Sequence, residues 1–169
     1  RYESSAASDV YKRQISNIRT SSQVFIDKNE DPILMNLAEK VSKVTGISTD
    51  LQEQIQILNY KEGQRYLEHY DACVDDNEHC YNDQLDRGLR KKTFFLYLND
   101  VDEGGNTGFP NLNKKAVPKK GRAILWNNIL KTMKEDGSYE LVEHPCSLHI
   151  GMPPLKGEKW SLTIWSRTG

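Results

Sequence analysis

The chain has 169 residues, which is enough for one domain with a substantial hydrophobic core. Hydrophobic residues make up 37% of it and charged residues 28%, and 23 Lys and Arg nearly balance 24 Asp and Glu. This composition gives no electrostatic reason to expect a nucleic-acid partner or an anionic membrane surface, and no apolar run approaches the roughly 18 residues of a membrane-spanning helix.

The N-terminal stretch RYESSAASDVYKRQ is polar, rich in small side chains and without periodicity. We expect residues 1–14 to be a poorly ordered or non-native leader and residues 15–169 to form one domain. The leader lacks the apolar stretch of a secretory signal, but the chain begins with Arg1 and not with methionine. The localisation therefore stays open between the endoplasmic reticulum lumen and the cytoplasm, and the oligomeric state is also left open.

The helical signal is concentrated in one segment near the N-terminal end. In DPILMNLAEKVSKVTG, Asp31 is placed to cap a helix and Pro32 suits its first turn. Gly46 then predicts the end of the helix. The helix would present one apolar stripe, formed by Ile33, Leu34, Leu37, Val41 and Val44.

The rest of the chain carries short apolar runs separated by turn signals. LQEQIQILNY, at residues 51–60, begins like a helical turn and becomes a strand. The later runs are TFFLYLNDV, AVPKKGRAILWNN, YELVEHPCSLHIG and KWSLTIWSR, and glycines at 104–105, 121, 137 and 157 mark the turns between them. A helix followed by many short strands predicts a β-sandwich or barrel with helical buttressing.

The chain has three cysteines, Cys73, Cys80 and Cys146. A disulfide scaffold needs a larger, even number. Cys73 and Cys80 would pair in an oxidising compartment, and free thiols are the equal alternative. The sequence does not decide between them.

A candidate metal site begins in the stretch YLEHYDAC. Side chains at i and i+2 of a strand project from one face, so His69 and Asp71 can bind one ion together. His149, in a distant strand-like run, would complete two histidines and one carboxylate, a set that leaves open positions and suits Fe(II). Lys159 follows His149 across what the pattern predicts to be a hairpin. A lysine that faces inward there needs an anionic partner, such as the far carboxylate of a keto acid.

These features occur within a series of motifs in a fixed order. RTS at 19–21 is followed by LNYKEGQRYLEHYD, by RKKTFFLYLNDVDEGGNTGFP, by VPKKGRAILWNN and by SLHIGMPPLKGEKWSLTIW. In this order, from residue 18 to the C-terminus, the chain resembles the catalytic domain of prolyl 4-hydroxylases, within the Fe(II)- and 2-oxoglutarate-dependent oxygenase superfamily.

The resemblance implies a role for each matched position. It implies that His69, Asp71 and His149 bind iron, and that Lys159 holds the distal carboxylate of 2-oxoglutarate. Further positions would line the cosubstrate pocket, namely Tyr60, Thr107 and, with a less defined role, Thr93. The positions on the side of the peptide substrate would be Tyr66, Arg90 and Trp165.

The resemblance also implies a mainly β (α+β) fold, a cupin-like double-stranded β-helix or jelly roll with N-terminal helices packed on its larger sheet. Family domains carry a further helical and strand segment before RTS, so we expect this domain to be N-terminally truncated. The segment that forms the outer edge of the larger sheet is then left unassigned.

The implied function is that of a procollagen-type prolyl 4-hydroxylase, which hydroxylates peptidyl proline while 2-oxoglutarate is decarboxylated to succinate and CO2. Its cofactors and cosubstrates would be Fe(II), 2-oxoglutarate, O2 and ascorbate, and its partner a proline-containing peptide or protein. Three alternatives remain: the same chemistry on a free amino acid or another residue, an inert jelly roll that only binds a partner, and a cupin-like zinc hydrolase.

Several of these residues also have ordinary structural explanations. His69 and Asp71 alone could be a structural pair, and Lys159 alone could be a surface cation beside Glu158. Arg90 precedes two lysines, so a solvated basic cluster competes with substrate binding. Tyr60 and Tyr66 could be strand aromatics with one polar end in water.

Overall fold

The computed structural model describes residues 18–74 and 87–169. The predicted leader at 1–14 lies outside these residues. No helix in the two described ranges has the length and apolar character needed to cross a membrane.

One α-helix, α1, spans Pro32–Thr45. In chain order the strands are β1 Ser22–Ile26, β2 Ile55–Tyr60, β3 Tyr66–His69, β4 Arg90–Tyr97, β5 Glu103–Gly104, β6 Thr107–Phe109, β7 Lys114–Ala116, β8 Ala123–Asn127, β9 Ile129–Met133, β10 Tyr139–Glu143, β11 His149–Gly151, β12 Pro154–Lys156 and β13 Lys159–Arg167.

The larger sheet has five antiparallel strands in the order β1-β2-β13-β4-β8. The central strand β13 pairs Lys159 with Tyr60 on β2 and Trp165 with Thr93 on β4. Seven consecutive residues of β13, 161–167, are buried, as expected for a strand covered on both faces. This strand therefore fixes the relative positions of several predicted site residues.

The smaller sheet has four strands in the order β3-β11-β6-β7. It pairs His149 on β11 directly with His69 on β3. Two further pairs complete the strand set: β9 with β10, and β5 with β12. The prediction that His149 and Lys159 flank one hairpin is wrong, because β12 lies between them and pairs with β5, and the chain then passes from the smaller sheet to the larger one.

Helix α1 begins and ends where the sequence predicts. The Asp31 carboxylate accepts a hydrogen bond from the Ile33 N–H at 2.7 Å. Gly46 adopts the left-handed conformation, with φ 71°, and its N–H donates to the Ser42 carbonyl at 2.8 Å. These two caps satisfy backbone groups at both ends of the helix.

The helix packs on the outer face of the larger sheet. Val41 joins Ile55, Leu162 and Ile164 in a buried cluster, and Leu34 and Leu37 pack against it. The apolar stripe is narrower than predicted, because Ile33 and Val44 lie on the flank of the helix and are 77% and 65% exposed. A short 3₁₀ turn, Thr49–Leu51, also contacts β13 and leads into β2.

The outer edge of the larger sheet is β1, which the sequence analysis left unassigned. Its residues SQVFI pair antiparallel with β2, from Ser22 opposite Asn59 to Ile26 opposite Ile55. The segment directly after RTS thus supplies the edge strand.

Candidate active site

Three potential metal ligands converge at one end of the smaller sheet. His69, Asp71 and His149 each offer one donor atom, and these atoms lie within 4.8 Å of one another. The Nε2 atom of His69 is 3.7 Å from Oδ1 of Asp71, and Nε2 of His149 is 3.8 Å from Oδ2. The predicted triad is therefore brought together in space.

The two histidines and the aspartate are positioned by different means. The histidines face each other across the β3–β11 ladder, with ring centroids 4.1 Å apart. Asp71 was predicted to share a strand face with His69, but β3 ends at His69 and Asp71 lies beyond it. Its carboxylate is held from the other sheet, because the Thr93 hydroxyl on β4 donates to Oδ2 at 2.6 Å.

Both histidines orient Nε2 toward the cluster and Nδ1 toward a main-chain carbonyl oxygen. Nδ1 of His69 lies 2.7 Å from the Leu67 carbonyl oxygen, and Nδ1 of His149 lies 2.8 Å from that of Ser147. A carbonyl oxygen only accepts, so in the neutral ring the proton sits on Nδ1 and the Nε2 lone pair points to the cluster. This is the tautomer that a divalent metal needs.

The protonation states also suit a metal. Burial and the nearby His149 lower the pKa of His69 to about 4, so the ring is neutral at pH 7. Burial of Asp71 opposes its ionisation, but the neighbouring His149 and His69 outweigh it and hold the pKa of the carboxyl below its usual value. Two imidazoles and one carboxylate are the donor set that suits Fe(II), so the residues present fit this ion.

Lys159 lies in the same pocket, contributed by the larger sheet. Its side chain is 1% exposed, and its Nζ sits 4.1 Å from the centroid of the Tyr60 ring. Within residues 18–74 and 87–169, no carboxylate forms an ion pair with it. Burial alone lowers the pKa of Lys159 to about 7. It is an inward-facing cation, not a surface lysine beside Glu158.

Nine of the ten site residues predicted from the sequence line this one pocket. They are His69, Asp71, His149, Lys159, Tyr60, Thr107, Thr93, Tyr66 and Trp165. The roles of the individual residues remain predictions. The Thr93 hydroxyl, for which a cosubstrate contact was predicted, is used by Asp71 and by Asn128.

The tenth residue, Arg90, is not among the residues that line this pocket. Its guanidinium carbon is 3.8 Å from the centroid of the Trp165 ring. It donates two hydrogen bonds to Glu53, from Nε at 2.6 Å and from Nη2 at 2.8 Å. Arg90 therefore does not belong to a solvated basic cluster, and the planar fork–fork pair fixes its orientation.

On the opposite side of the pocket, Tyr66 stacks on His69, with centroids 3.5 Å apart and an interplanar angle of 19°. The guanidinium of Arg19 lies 5.1 Å from the centroid of the Tyr66 ring. Burial raises the pKa of Tyr66, so the phenol stays protonated at neutral pH. An aromatic surface thus borders the metal cluster directly.

Several residues that shape the site were not predicted from the sequence. Trp126 lines the pocket and meets His149 edge to face, with ring centroids 4.9 Å apart. Tyr97 holds Thr107, since their hydroxyls lie 2.7 Å apart. Glu53 accepts two hydrogen bonds from Arg90, and Asn128 donates one to Thr93. Strand alternation in AILWN and TFFLY could have placed Trp126 and Tyr97 on the inner face, whereas Glu53 and Asn128 carry no local signal.

Cys73 is disulfide-bonded and Cys146 is a free thiol. The predicted partner of Cys73 is Cys80, which lies outside the described residues, so that pairing stays a prediction.

The two antiparallel sheets and the two-histidine, one-carboxylate cluster between them define a class of protein, the jelly-roll oxygenases with a non-haem iron centre. A family model described as the 2OG-Fe(II) oxygenase superfamily matches residues 55–167. The chain belongs to this superfamily. Family and cluster together indicate Fe(II) as the metal and 2-oxoglutarate as the cosubstrate.

Similar curated proteins are prolyl 4-hydroxylases. A putative prolyl 4-hydroxylase of Acanthamoeba polyphaga mimivirus is 36% identical over 152 residues, which cover 89% of this chain and 59% of the relative. Probable prolyl 4-hydroxylase 3 of Arabidopsis thaliana is 35% identical over 177 residues, covering 96% of this chain and 58% of the relative. The chain thus spans less than two thirds of the length of these relatives.

A solved structure with the same fold is the viral collagen prolyl hydroxylase of Paramecium Bursaria Chlorella virus-1 in its 2OG complex. The TM-score is 0.70 with 27% sequence identity, and the match covers 94% of this chain and 84% of the other. The predicted fold class, a mainly β jelly roll, and the predicted family are both confirmed.

Proposed function

We propose that this chain is the catalytic domain of a prolyl 4-hydroxylase that hydroxylates proline in peptides and converts 2-oxoglutarate to succinate and CO2. One observation carries the proposal: the three candidate iron ligands and the buried cation of Lys159 open into a single pocket. A pocket with an iron site at one point and an isolated ammonium at another matches a keto acid that also carries a second carboxylate.

The metal would be held by His69, Asp71 and His149. When bound, Fe(II) supplies the activation of O2 that hydroxylation of an unactivated C–H bond requires. The chain supplies two ring nitrogens, the carboxylate and a pocket walled by Trp126 and Phe95. These apolar walls exclude water from the reacting groups. Ascorbate would keep the iron in its ferrous state between turnovers.

Lys159 would bind the distal carboxylate of 2-oxoglutarate. An ammonium that is buried without a partner is costly, and an anion in the pocket removes this cost. Thr107 and Tyr60 line the same region, and each carries a hydroxyl that can donate to a carboxylate oxygen. Lys159 and Tyr60 of the larger sheet and Thr107 of the smaller sheet would thus fix the cosubstrate together.

The arrangement around Trp165 supports a peptide substrate over a free amino acid. A free amino acid presents a carboxylate, and the Arg90 guanidinium beside Trp165 is a cation that could receive it. Glu53 already engages Arg90 through two hydrogen bonds. The aromatic side chains of Tyr66 and Trp165, which both line the pocket, suit the uncharged ring and flanking peptide groups of a prolyl residue. The viral neighbour is named a collagen prolyl hydroxylase, which supports a procollagen-type substrate for this chain.

The experiment is an assay with Fe(II), 2-oxoglutarate and ascorbate in which a library of proline-containing peptides and free proline are offered separately. Mass spectrometry follows the added oxygen, and succinate release is measured in parallel. We expect hydroxylated peptide from the wild-type chain and none from His149→Ala or Lys159→Met. The matched control for Lys159→Met is Lys134→Met, at a lysine that is 46% exposed in an ion pair with Glu140.

Three results would contradict the proposal. Hydroxylation of free proline alone would replace the peptide substrate. Equal succinate release from the wild-type chain and His149→Ala would remove the metal cluster from the reaction. Absence of turnover in every sample would favour the inert binding module.

A further inference from the structure

Three buried side chains form a hydrogen-bonded series that ends on the candidate iron ligand. The Asn128 amide Nδ2 donates to Oγ1 of Thr93 at 2.8 Å. The Thr93 hydroxyl donates to Oδ2 of Asp71 at 2.6 Å. The exposed fractions of Asn128, Thr93 and Asp71 are 0%, 1% and 6%, so solvent does not compete for these bonds.

The direction of the series is fixed by what each group can do. An ionised carboxylate only accepts, so the single hydroxyl hydrogen of Thr93 is committed to Asp71. The lone pairs of Oγ1 then accept from Asn128, which must point its NH2 group, and not its carbonyl oxygen, toward Thr93. The opposite orientation of the amide would place two acceptors against each other.

Asn128 is itself fixed by its main chain, directly after β8. Its N–H donates to the Lys91 carbonyl oxygen at 2.9 Å, and its carbonyl oxygen accepts from the His144 N–H at 2.8 Å. Its side-chain Oδ1 is buried and makes no hydrogen bond within the described part of the chain. The side-chain amide is thus held with Nδ2 donating to Thr93, while Oδ1 has no hydrogen-bond partner among the described residues.

Asp71 needs an external support because it lies past the end of β3. Among the residues that the structure describes, its backbone has no ladder partner in the smaller sheet, whereas His69 and His149 are paired across that sheet. We propose that Asn128 and Thr93 are positioning residues, which together orient the Asp71 carboxylate for metal binding across the gap between the sheets. This inference rests on the proposed function in one respect, that Asp71 is a metal ligand.

The test is a titration of the purified chain with Co(II), without cosubstrate, followed by the visible absorption of the bound ion. Thr93→Val keeps the shape of the side chain and removes the hydroxyl. We expect it to weaken Co(II) binding about ten- to one-hundredfold, as for loss of other groups that support metal ligands, and to change the absorption spectrum. Thr93→Ser, which keeps the hydroxyl, should restore affinity and spectrum.

Asn128→Leu tests the second step. We expect a loss of about tenfold, and the double variant Asn128→Leu/Thr93→Val should bind no more weakly than Thr93→Val alone, because Asn128 acts through Thr93. Ser166→Ala is the matched control, since its buried hydroxyl lies outside the pocket and makes no hydrogen bond in the described ranges. This control should bind Co(II) like the wild-type chain.

The outcomes separate the two proposals. If the wild-type chain binds Co(II) and Thr93→Val binds it equally well with an unchanged spectrum, the positioning role is wrong and the metal site stands. Additive losses in the double variant would overturn the role of Asn128 through Thr93. Absence of Co(II) binding by the wild-type chain would overturn the proposed function and the inference together. Circular dichroism checks each fold, and Thr93→Ala replaces Thr93→Val if the latter does not fold.

Discussion

Lys159 and Tyr60 face each other across the β2–β13 ladder, with the ammonium 4.1 Å from the centroid of the phenol ring. The negative face of the ring is the only compensation for the charge that we identify among the described residues, and it is weaker than a carboxylate. The pair therefore keeps a cation in the pocket that can bind an anion. Burial of this charge without a carboxylate partner lowers the stability of the fold when no anion is bound.

The first prediction concerns the pH dependence of 2-oxoglutarate binding. Burial lowers the pKa of Lys159 to about 7, so above that pH the empty site must take up a proton when it binds the dianion. We expect the affinity to fall as pH rises from 7 to 9, by up to about tenfold per pH unit. Calorimetric titration of the Co(II)-loaded chain measures it. Lys159→Met should bind weakly and show no such slope; a slope that survives in this variant would assign the effect to another group.

The second prediction concerns the stability of the chain without ligands. Between pH 7 and about 10.5 the unfolded state holds a proton on Lys159 that the folded state has lost, so the free energy of unfolding rises with pH across this window. The gain is on the order of 4 kcal/mol at most. Urea unfolding of the wild-type chain and Lys159→Met at pH 7 and pH 9.5 measures it. The variant should gain less with pH, and parallel curves for the two proteins would contradict the prediction.

The third prediction concerns Glu53, which also pairs with Arg167 at 3.0 Å. Glu53→Gln removes the anion between two guanidinium groups, of which Arg167 is 4% exposed. We expect a loss of about 3–5 kcal/mol in the free energy of unfolding, since the change removes one partner of a largely buried ion-pair network. Peptide KM should rise as Arg90 loses its orientation, while 2-oxoglutarate affinity should stay near the wild-type value.

A matched control for this change is Glu140→Gln, at an ion pair with Lys134 in which both side chains are nearly half exposed. Breaking this surface pair should cost less than about 1 kcal/mol. Chemical denaturation of both variants gives the comparison. Equal losses at Glu53 and Glu140 would show that the buried network contributes no more than a surface pair.

The fourth prediction concerns Tyr97, which is completely buried behind Thr107. Its hydroxyl lies 2.7 Å from the Thr107 hydroxyl and accepts from the Thr107 N–H at 3.1 Å. Tyr97→Phe leaves these groups without a partner, so we expect a loss of about 1–3 kcal/mol in stability. It should also weaken 2-oxoglutarate binding several-fold. Tyr139→Phe, at a tyrosine that is 58% exposed, is the control and should change neither quantity. Unchanged cosubstrate affinity in Tyr97→Phe would show that Tyr97 does not support 2-oxoglutarate binding.

The sequence predicts best the features that depend on neighbouring residues. The caps of α1 at Asp31 and Gly46 are local interactions, and both are observed. The ordered motifs led to the family and to the triad of His69, Asp71 and His149, because spacing and residue type carry that information. The mainly β fold followed from short apolar runs and regular turn signals.

The features that escaped prediction depend on contacts between distant segments. Glu53 meets Arg90 and Asn128 meets Thr93 only after the sheet has formed, and each partner is more than thirty positions away in the chain. The passage of the chain between sheets after His149 is likewise set by the pairing of β12 with β5. The edge strand β1 has no alternating pattern, and its pairing with β2 defines it.

Strand β13 carries Lys159 at its first position, Trp165 near its end and Arg167 at its last. At about 3.3 Å per residue, Lys159 and Trp165 lie roughly 20 Å apart along the strand. The length of β13 thus sets the distance between these two pocket residues. Insertion or deletion of a single residue within it would turn the inward-facing side chains outward. Homologous sequences should therefore keep the length of this strand unchanged, and the helix-facing positions of Leu162 and Ile164 should stay apolar because they belong to the buried cluster.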